Sequence, residues 1–215
     1  MLDRSFWPIR KIKGAGPDVF LTFDDGPDPL FTPSILNTLD EAGAKATFFL
    51  LGLRARKEPQ LVRQIVDAGH AIGLHGADHT PLWFRPRRKI RESLLENLVA
   101  IRAAVPQLPV WLFRPPYGRF SLSTLRVARS LGLRTVLWSL NSRDYETESP
   151  DDIFTRVLSA VQAGDIVLLH DGPAAGSTTS AALPKLLSAL RANGFAFPTL
   201  TDALNGPDSV PTRNR

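Results

Sequence analysis

Short apolar runs alternate along the chain with longer stretches whose apolar residues recur at helical spacing. "VFLTF" (Val19–Phe23) is continuous enough for a strand buried on both faces. "TPSILNTLDEAG" follows, with Ile35, Leu36 and Leu39 on one helical face and Gly43 as a stop. "ATFFLLG" predicts a second strand, and "PQLVRQIVDAG" a helix with Leu61, Ile65 and Ala68 inward, ended by Gly69. "AIGLH" is a third strand, and a long helix is expected over 87–104. "VWLF" (Val110–Phe113) and "RTVLWSL" (Arg134–Leu140) are the fourth and fifth strands, separated by the helical "LSTLRVARSLG". "DDIFTRVLSAVQAG" carries acidic residues suited to a helix N-terminus. "DIVLLH" is a sixth strand, "ALPKLLSALRANG" a helix, and "FAFPTL" a seventh strand.

This alternation argues for an α/β fold with parallel strands and helices packed outside. Six or seven units suit a barrel-like closure or an open doubly wound sheet, and pattern alone leaves both open. The chain has 215 residues, 43% of them hydrophobic, and no linker divides it. A single domain is therefore expected. There is no cysteine, so a metal would be held by His, Asp or Glu. The net charge is +5, and 20 of the 26 basic residues are arginine. The densest cluster, "RPRRKIR" (Arg85–Arg91), reads as a solvated loop and helix start rather than a patch for an anionic polymer or membrane. No stacking or groove-reading motif accompanies it, so no nucleic acid is expected. No segment is long enough to span a bilayer. The N-terminus lacks the apolar core of a secretory signal. The chain stays in the cytoplasm if native as it stands, or outside it if a signal or anchor was removed. The tail after Asn205 reads as flexible.

The polar residues gather on this map. Asp24 and Asp25 follow the first strand, His75 ends the third, Arg114 follows the fourth, Asn141 and Asp144 follow the fifth, and His170 and Asp171 end the sixth. In parallel α/β folds the C-terminal strand ends share one rim, where active sites form. "HGADH" sets His75 and His79 at i, i+4, so a helical turn or tight loop brings both imidazoles to one ion, and Gly76 allows the turn. Two imidazoles and one carboxylate leave positions open for water, as catalytic zinc sites do. The adjacent aspartates then make sense. One binds the cation, the other takes a proton from nearby water, and the cation offsets their repulsion. His70 follows a helix stop and reads as structural. "FRPPYG" joins the cation Arg114 to a rigid turn able to aim backbone N–H groups at an oxyanion.

Taken in order, "TFDDGP", "HGADH", "RPPYG", "WSLNSRDY" and "LLH" resemble the polysaccharide deacetylase family, the fourth family of carbohydrate esterases. The resemblance covers roughly Val19 to Leu204. It implies a distorted (β/α) barrel of about seven parallel strands. The chain then divides into an N-terminal extension (1–18), a catalytic domain (19–205) and a flexible tail (206–215). It also implies metal-dependent removal of acetyl groups, usually from N-acetylated sugars. Carried over by position, Asp25, His75 and His79 bind one divalent ion, zinc first and cobalt, nickel or manganese as substitutes. Asp24 is the base, tethered by Arg114. The Tyr117 N–H helps bind the oxyanion, His170 is the acid with Asp144 orienting it, and Leu168 shapes the acetyl pocket. The sequence departs from the family pattern in three places. Gly76 stands where Ser or Thr is usual, Asn141 where Asp is, and Tyr145 where Trp is, which alters the pocket wall and the substrate contacts. The expected partner is an acetylated carbohydrate. O-deacetylation of an acetylated xylan and a glycan-binding relative without turnover are the alternatives, and the oligomeric state is not readable.

Overall fold

The computed structural model describes residues 6–204. The tail expected to be flexible, 206–215, lies outside the described residues.

Seven parallel strands form one sheet. They are β1 (Phe20–Asp24), β2 (Thr47–Leu50), β3 (Ala71–Leu74), β4 (Leu112–Phe113), β5 (Arg134–Thr135), β6 (Leu140–Asn141) and β7 (Ile166–His170). Their order is β5-β4-β3-β2-β1-β7-β6. The helices are α1 (Thr32–Glu41), α2 (Gly52–Lys57), α3 (Pro59–Asp67), α4 (Arg87–Ala104), α5 (Leu122–Ser130), α6 (Pro150–Ala160), α7 (Gly176–Ala192) and the short α8 (Leu200–Ala203).

The single fifth strand expected over "RTVLWSL" is two strands on opposite edges of the sheet. Arg134 and Thr135 pair with β4, while Leu140 and Asn141 pair with β7. One continuous stretch thus serves both edges, which requires the sheet to curl into a distorted barrel. Opposite edges of an open doubly wound sheet lie too far apart for the four linking residues, 136–139, to span. Ile9 bridges Val136, where this stretch leaves β5.

The expected seventh strand, "FAFPTL", is absent. Only Ala196 forms an isolated bridge, to Asp18. The apolar pattern there reflects the burial of Phe197 and Leu200, not strand pairing. Thr199 instead caps α8 through its hydroxyl and Asp202. The helix α2 has no counterpart in the sequence reading. Val62, not Ala68, completes the inward face of α3, because Ala68 is its half-buried C-cap.

Alternation along the strands separates two apolar layers. Leu21 and Phe23 of β1, with Val167 and Leu169 of β7, belong to the large layer shared with the helices. Phe20 and Ile166 join Phe49, Trp111, Leu112 and Val136 in a smaller inner cluster. By the same alternation Thr22, Asp24, Leu168 and His170 face inward. The strands therefore deliver the polar residues to the barrel mouth.

Candidate active site

The site begins with strand register. Asp24 and His170 are Cα partners at the last paired position of β1 and β7. Both line a cavity of about 530 Å³ at the C-terminal rim, together with Asp25, His75, His79, Tyr117, Tyr145 and Leu168. Of the polar residues that the sequence placed on one rim, Asp24, Asp25, His75 and His170 line the cavity, Arg114 and Asp144 bond to them from behind, and the side chains of Asn141 and Asp171 do neither. Asn141 lies outside the cavity lining, bonding Tyr145 Oη (3.1 Å) and the Arg143 N–H (2.8 Å). Asp171 lies behind it, fully buried, accepting from Thr32 Oγ1 at 2.6 Å. Burial pushes the Asp171 carboxyl up to about 7, with the Thr32 hydroxyl opposing.

Asp25, His75 and His79 form a tight cluster whose ligand atoms all lie within 4.8 Å of one another. Asp25 Oδ1 is 3.4 Å from His75 Nε2 and 3.2 Å from His79 Nε2. It is buried and accepts no hydrogen bond, the state of an atom suited to a cation. His75 Nδ1 sits 2.8 Å from the Arg114 carbonyl oxygen, which can only accept. The Nδ1 therefore carries the proton, and the Nε2 lone pair faces Asp25. The donor set fits a single divalent ion with open positions. Burial opposes charge on Asp25, but the flanking imidazoles outweigh it and hold the carboxyl well below the usual range. Burial also disfavours a charged His75, yet Asp24 and Asp25 raise it overall, while burial dominates at half-exposed His79 and lowers it.

Local backbone explains the aim of these groups. Among the described residues, four non-glycine residues have positive φ, and three of them are Asp25 (75°), His79 (61°) and Tyr117 (60°). Each costs on the order of 1–2 kcal/mol, so the surrounding structure must hold them there. Gly76, at φ 92°, makes the turn that lets the chain leave β3 and return His79 beside His75. This is a loop rather than a helical turn.

Arg114 is fully buried and joins the mouth to the barrel interior. Its Nη1 donates to Asp24 Oδ1 at 2.7 Å and to Thr22 Oγ1 at 2.8 Å, and Nη2 to the Leu137 carbonyl at 3.1 Å. Its guanidinium lies 4.1 Å above the Phe49 ring. Asp24 Oδ1 is thereby occupied, and Oδ2 is left 3.7 Å from His75 Nε2.

Asp144 holds His170 from below. Its Oδ1 is 2.7 Å from His170 Nδ1, and its Oδ2 accepts from the His170 N–H (2.7 Å) and Thr179 Oγ1 (2.6 Å). Burial works against a charged imidazole, but the Asp144 bond and the charges of Asp144, Asp24 and Asp25 raise His170 to about 9. Tyr145 meets the same ring edge-on, centroids 5.3 Å apart. After Arg114, the Gly118 and Arg119 N–H groups go to the Pro115 and Pro116 carbonyls. The Tyr117 N–H has no protein acceptor among the described residues and is free for a ligand.

Supporting residues escaped the sequence reading. Asn97 Oδ1 accepts from the His75 and Gly76 N–H groups (2.9 and 3.0 Å). Its signal was a polar residue on the apolar face of α4, in register with Ile90, Leu94 and Ile101. Thr22 and Thr179 carried no such signal. His70 is structural, its Nδ1 accepting from the Ala46 N–H at 3.2 Å.

Known proteins resemble this chain along most of its length. The family model described as polysaccharide deacetylase matches residues 11–136. A chitooligosaccharide deacetylase of Sinorhizobium fredii is 40% identical, covering 89% of this chain and 95% of its own. A peptidoglycan-N-acetylglucosamine deacetylase of Bacillus cereus is 38% identical, covering 86% and 87% respectively. The crystal structure of a CE4 family pseudoenzyme from Bacillus anthracis superposes with a TM-score of 0.86 at 29% identity, covering 94% of this chain and 70% of that one. The chain therefore belongs to the polysaccharide deacetylase family of enzymes, carbohydrate esterase family four.

Proposed function

We propose that the protein hydrolyses acetyl groups from N-acetylated sugars of a glycan, using one divalent ion held by Asp25, His75 and His79. Zinc best matches a His₂Asp donor set, and cobalt, nickel or manganese are substitutes. The reading is carried by one observation: the convergent ligand atoms share a cavity with Asp24 and His170. The two relatives named for chitooligosaccharides and for N-acetylglucosamine in peptidoglycan support the substrate class.

When bound, the ion supplies a Lewis acid that polarises an acetyl carbonyl and lowers the pKa of water. Asp24 takes the proton of the attacking water on Oδ2, because Arg114 keeps Oδ1 occupied. The Tyr117 N–H donates to the oxygen that gains charge. His170 protonates the leaving nitrogen through Nε2, since Asp144 holds Nδ1. The bond to Asp144 favours the protonated form this role needs. Leu168 and Tyr145 bound the acetyl side of the cavity. Base and acid each contribute roughly 10²–10⁴-fold.

The test is Asp24→Asn, assayed by acetate release and metal analysis on chitin oligomers and acetylated xylan. The variant keeps its metal and loses turnover by about 10² or more. Full activity in that variant removes Asp24 from the base role. Faster release from xylan than from the oligomers reassigns the enzyme to O-deacetylation.

A further inference from the structure

One stretch of the cavity wall takes no part in this chemistry: Trp83, the Tyr117 ring and Arg119. Half-buried Trp83 meets Tyr117 edge-on at 6.1 Å and Phe84 edge-on at 5.1 Å. The Arg119 guanidinium lies 5.1 Å over the Trp83 ring. Its segment is held tightly. The Arg119 N–H donates to the Pro116 carbonyl, and Gly118 presses so closely on Trp138 that a Cβ there would fall 2.4 Å from the ring. A cation–ring contact of this kind uses none of the guanidinium N–H groups as donors to a hydrogen-bond acceptor. No ion pair or side-chain hydrogen bond occupies Arg119 among the described residues. The carboxylates lining the cavity, Asp24 and Asp25, are engaged by Arg114 and the imidazoles. Arg85, 5.9 Å over the Phe84 ring, continues the basic, aromatic strip outward.

An arginine here can also donate to neutral sugar hydroxyls, but a carboxylate matches its fork in both charge and planar geometry. We propose that Trp83 and Arg119 form a specificity subsite for a carboxylate-bearing sugar adjacent to the one deacetylated. The sugar ring stacks on the aromatic wall, and the carboxylate takes the free N–H edge of Arg119, the planar fork that suits it best. This rests on the deacetylase reading above and narrows its substrate to acidic N-acetylated glycans.

The experiment uses the metal-replete full chain and three tetrasaccharides: N-acetylglucosamine alternating with N-acetylmuramic acid, its carboxyl methyl ester, and chitotetraose. At low salt the free acid is preferred over its ester about fivefold in kcat/KM, mainly through KM, the scale of one exposed ion pair. The preference shrinks towards parity at roughly 0.5 M salt. In Arg119→Gln the acid-to-ester ratio falls to one, and Arg119→Lys restores part of it. Trp83→Ala raises KM for acid and ester alike. Equal wild-type rates on acid and ester overturn the inference, as does a preference that survives Arg119→Gln. If the wild type releases no acetate from any of the three, the deacetylase reading falls and takes this inference with it.

Discussion

The contact between Arg114 and Asp24 permits a quantitative test. The guanidinium side chain is fully buried, that of Asp24 is 3% exposed, and they meet at 2.7 Å. Removing one partner strands the other as a buried charge, at a cost of about 3–5 kcal/mol. Arg114→Met also removes the bonds to Thr22 and Leu137 and the stacking on Phe49. Asp24→Asn keeps shape but removes the charge that Arg114 meets. In the double variant neither charge is left unpaired. Its destabilisation should therefore fall short of the sum of the single variants by about 1–3 kcal/mol. Urea unfolding at pH 7 in excess chelator measures this without linkage to metal, and unchanged m-values keep the comparison valid. Additivity within about 0.5 kcal/mol would refute the reasoning. Turnover supplies a second reading. If Arg114 acts through Asp24, the double variant is no slower than Asp24→Asn alone, whereas a further drop assigns Arg114 an independent catalytic effect.

Three further outcomes are expected. Asn97→Leu orphans the buried Gly76 N–H, while the His75 N–H keeps the Leu50 carbonyl. The loss should be about 1–3 kcal/mol by denaturant titration, with weakened metal binding. Zinc at about 100 times its Kd should stabilise the protein by about 2.7 kcal/mol, and His79→Ala should remove most of that shift in Tm. In the metal-free protein the raised His170 contributes stability in full below about pH 6.5 and loses it as pH rises through about 9. That displacement corresponds to roughly 3 kcal/mol, and Asp144→Asn should flatten the fall. An unchanged pH profile in that variant would show that Asp144 does not govern the His170 proton.

The parts of the site legible in the sequence are those written locally. "TFDDGP" and "HGADH" each carry several site groups within a few residues, and their apolar flanks place them at strand ends. Arg114 and Asp144 entered through the family resemblance, while supporting residues outside its motifs were not legible. Asn97 acts from a helix more than 20 residues beyond the loop it supports, and Thr179 reaches Asp144 across 35 positions. Nothing in a periodic pattern records which loop a helix will underpin. The split of "RTVLWSL" was hidden for a related reason. Its apolar run is continuous, and only closure of the barrel decides which residues pair with which edge.

Closure also explains why adjacent carboxylates can coexist at the mouth. β1 lies between β2 and β7, so its last residue faces a partner on each side, Phe49 and His170. The inward alternation that puts Phe20 in the inner cluster carries through Thr22 to Asp24, where Arg114 is waiting. The next residue leaves the strand at positive φ, so Asp25 turns away from Arg114 and towards the imidazoles. Each aspartate thus meets a different set of counter-groups, although they are neighbours in the chain. A one-residue slip of β1 would set Phe23 or Asp25 opposite His170 and reverse which faces point inward. The division of labour between Asp24 and Asp25 therefore depends on the register of β1 against β7 as much as on the identity of the two residues.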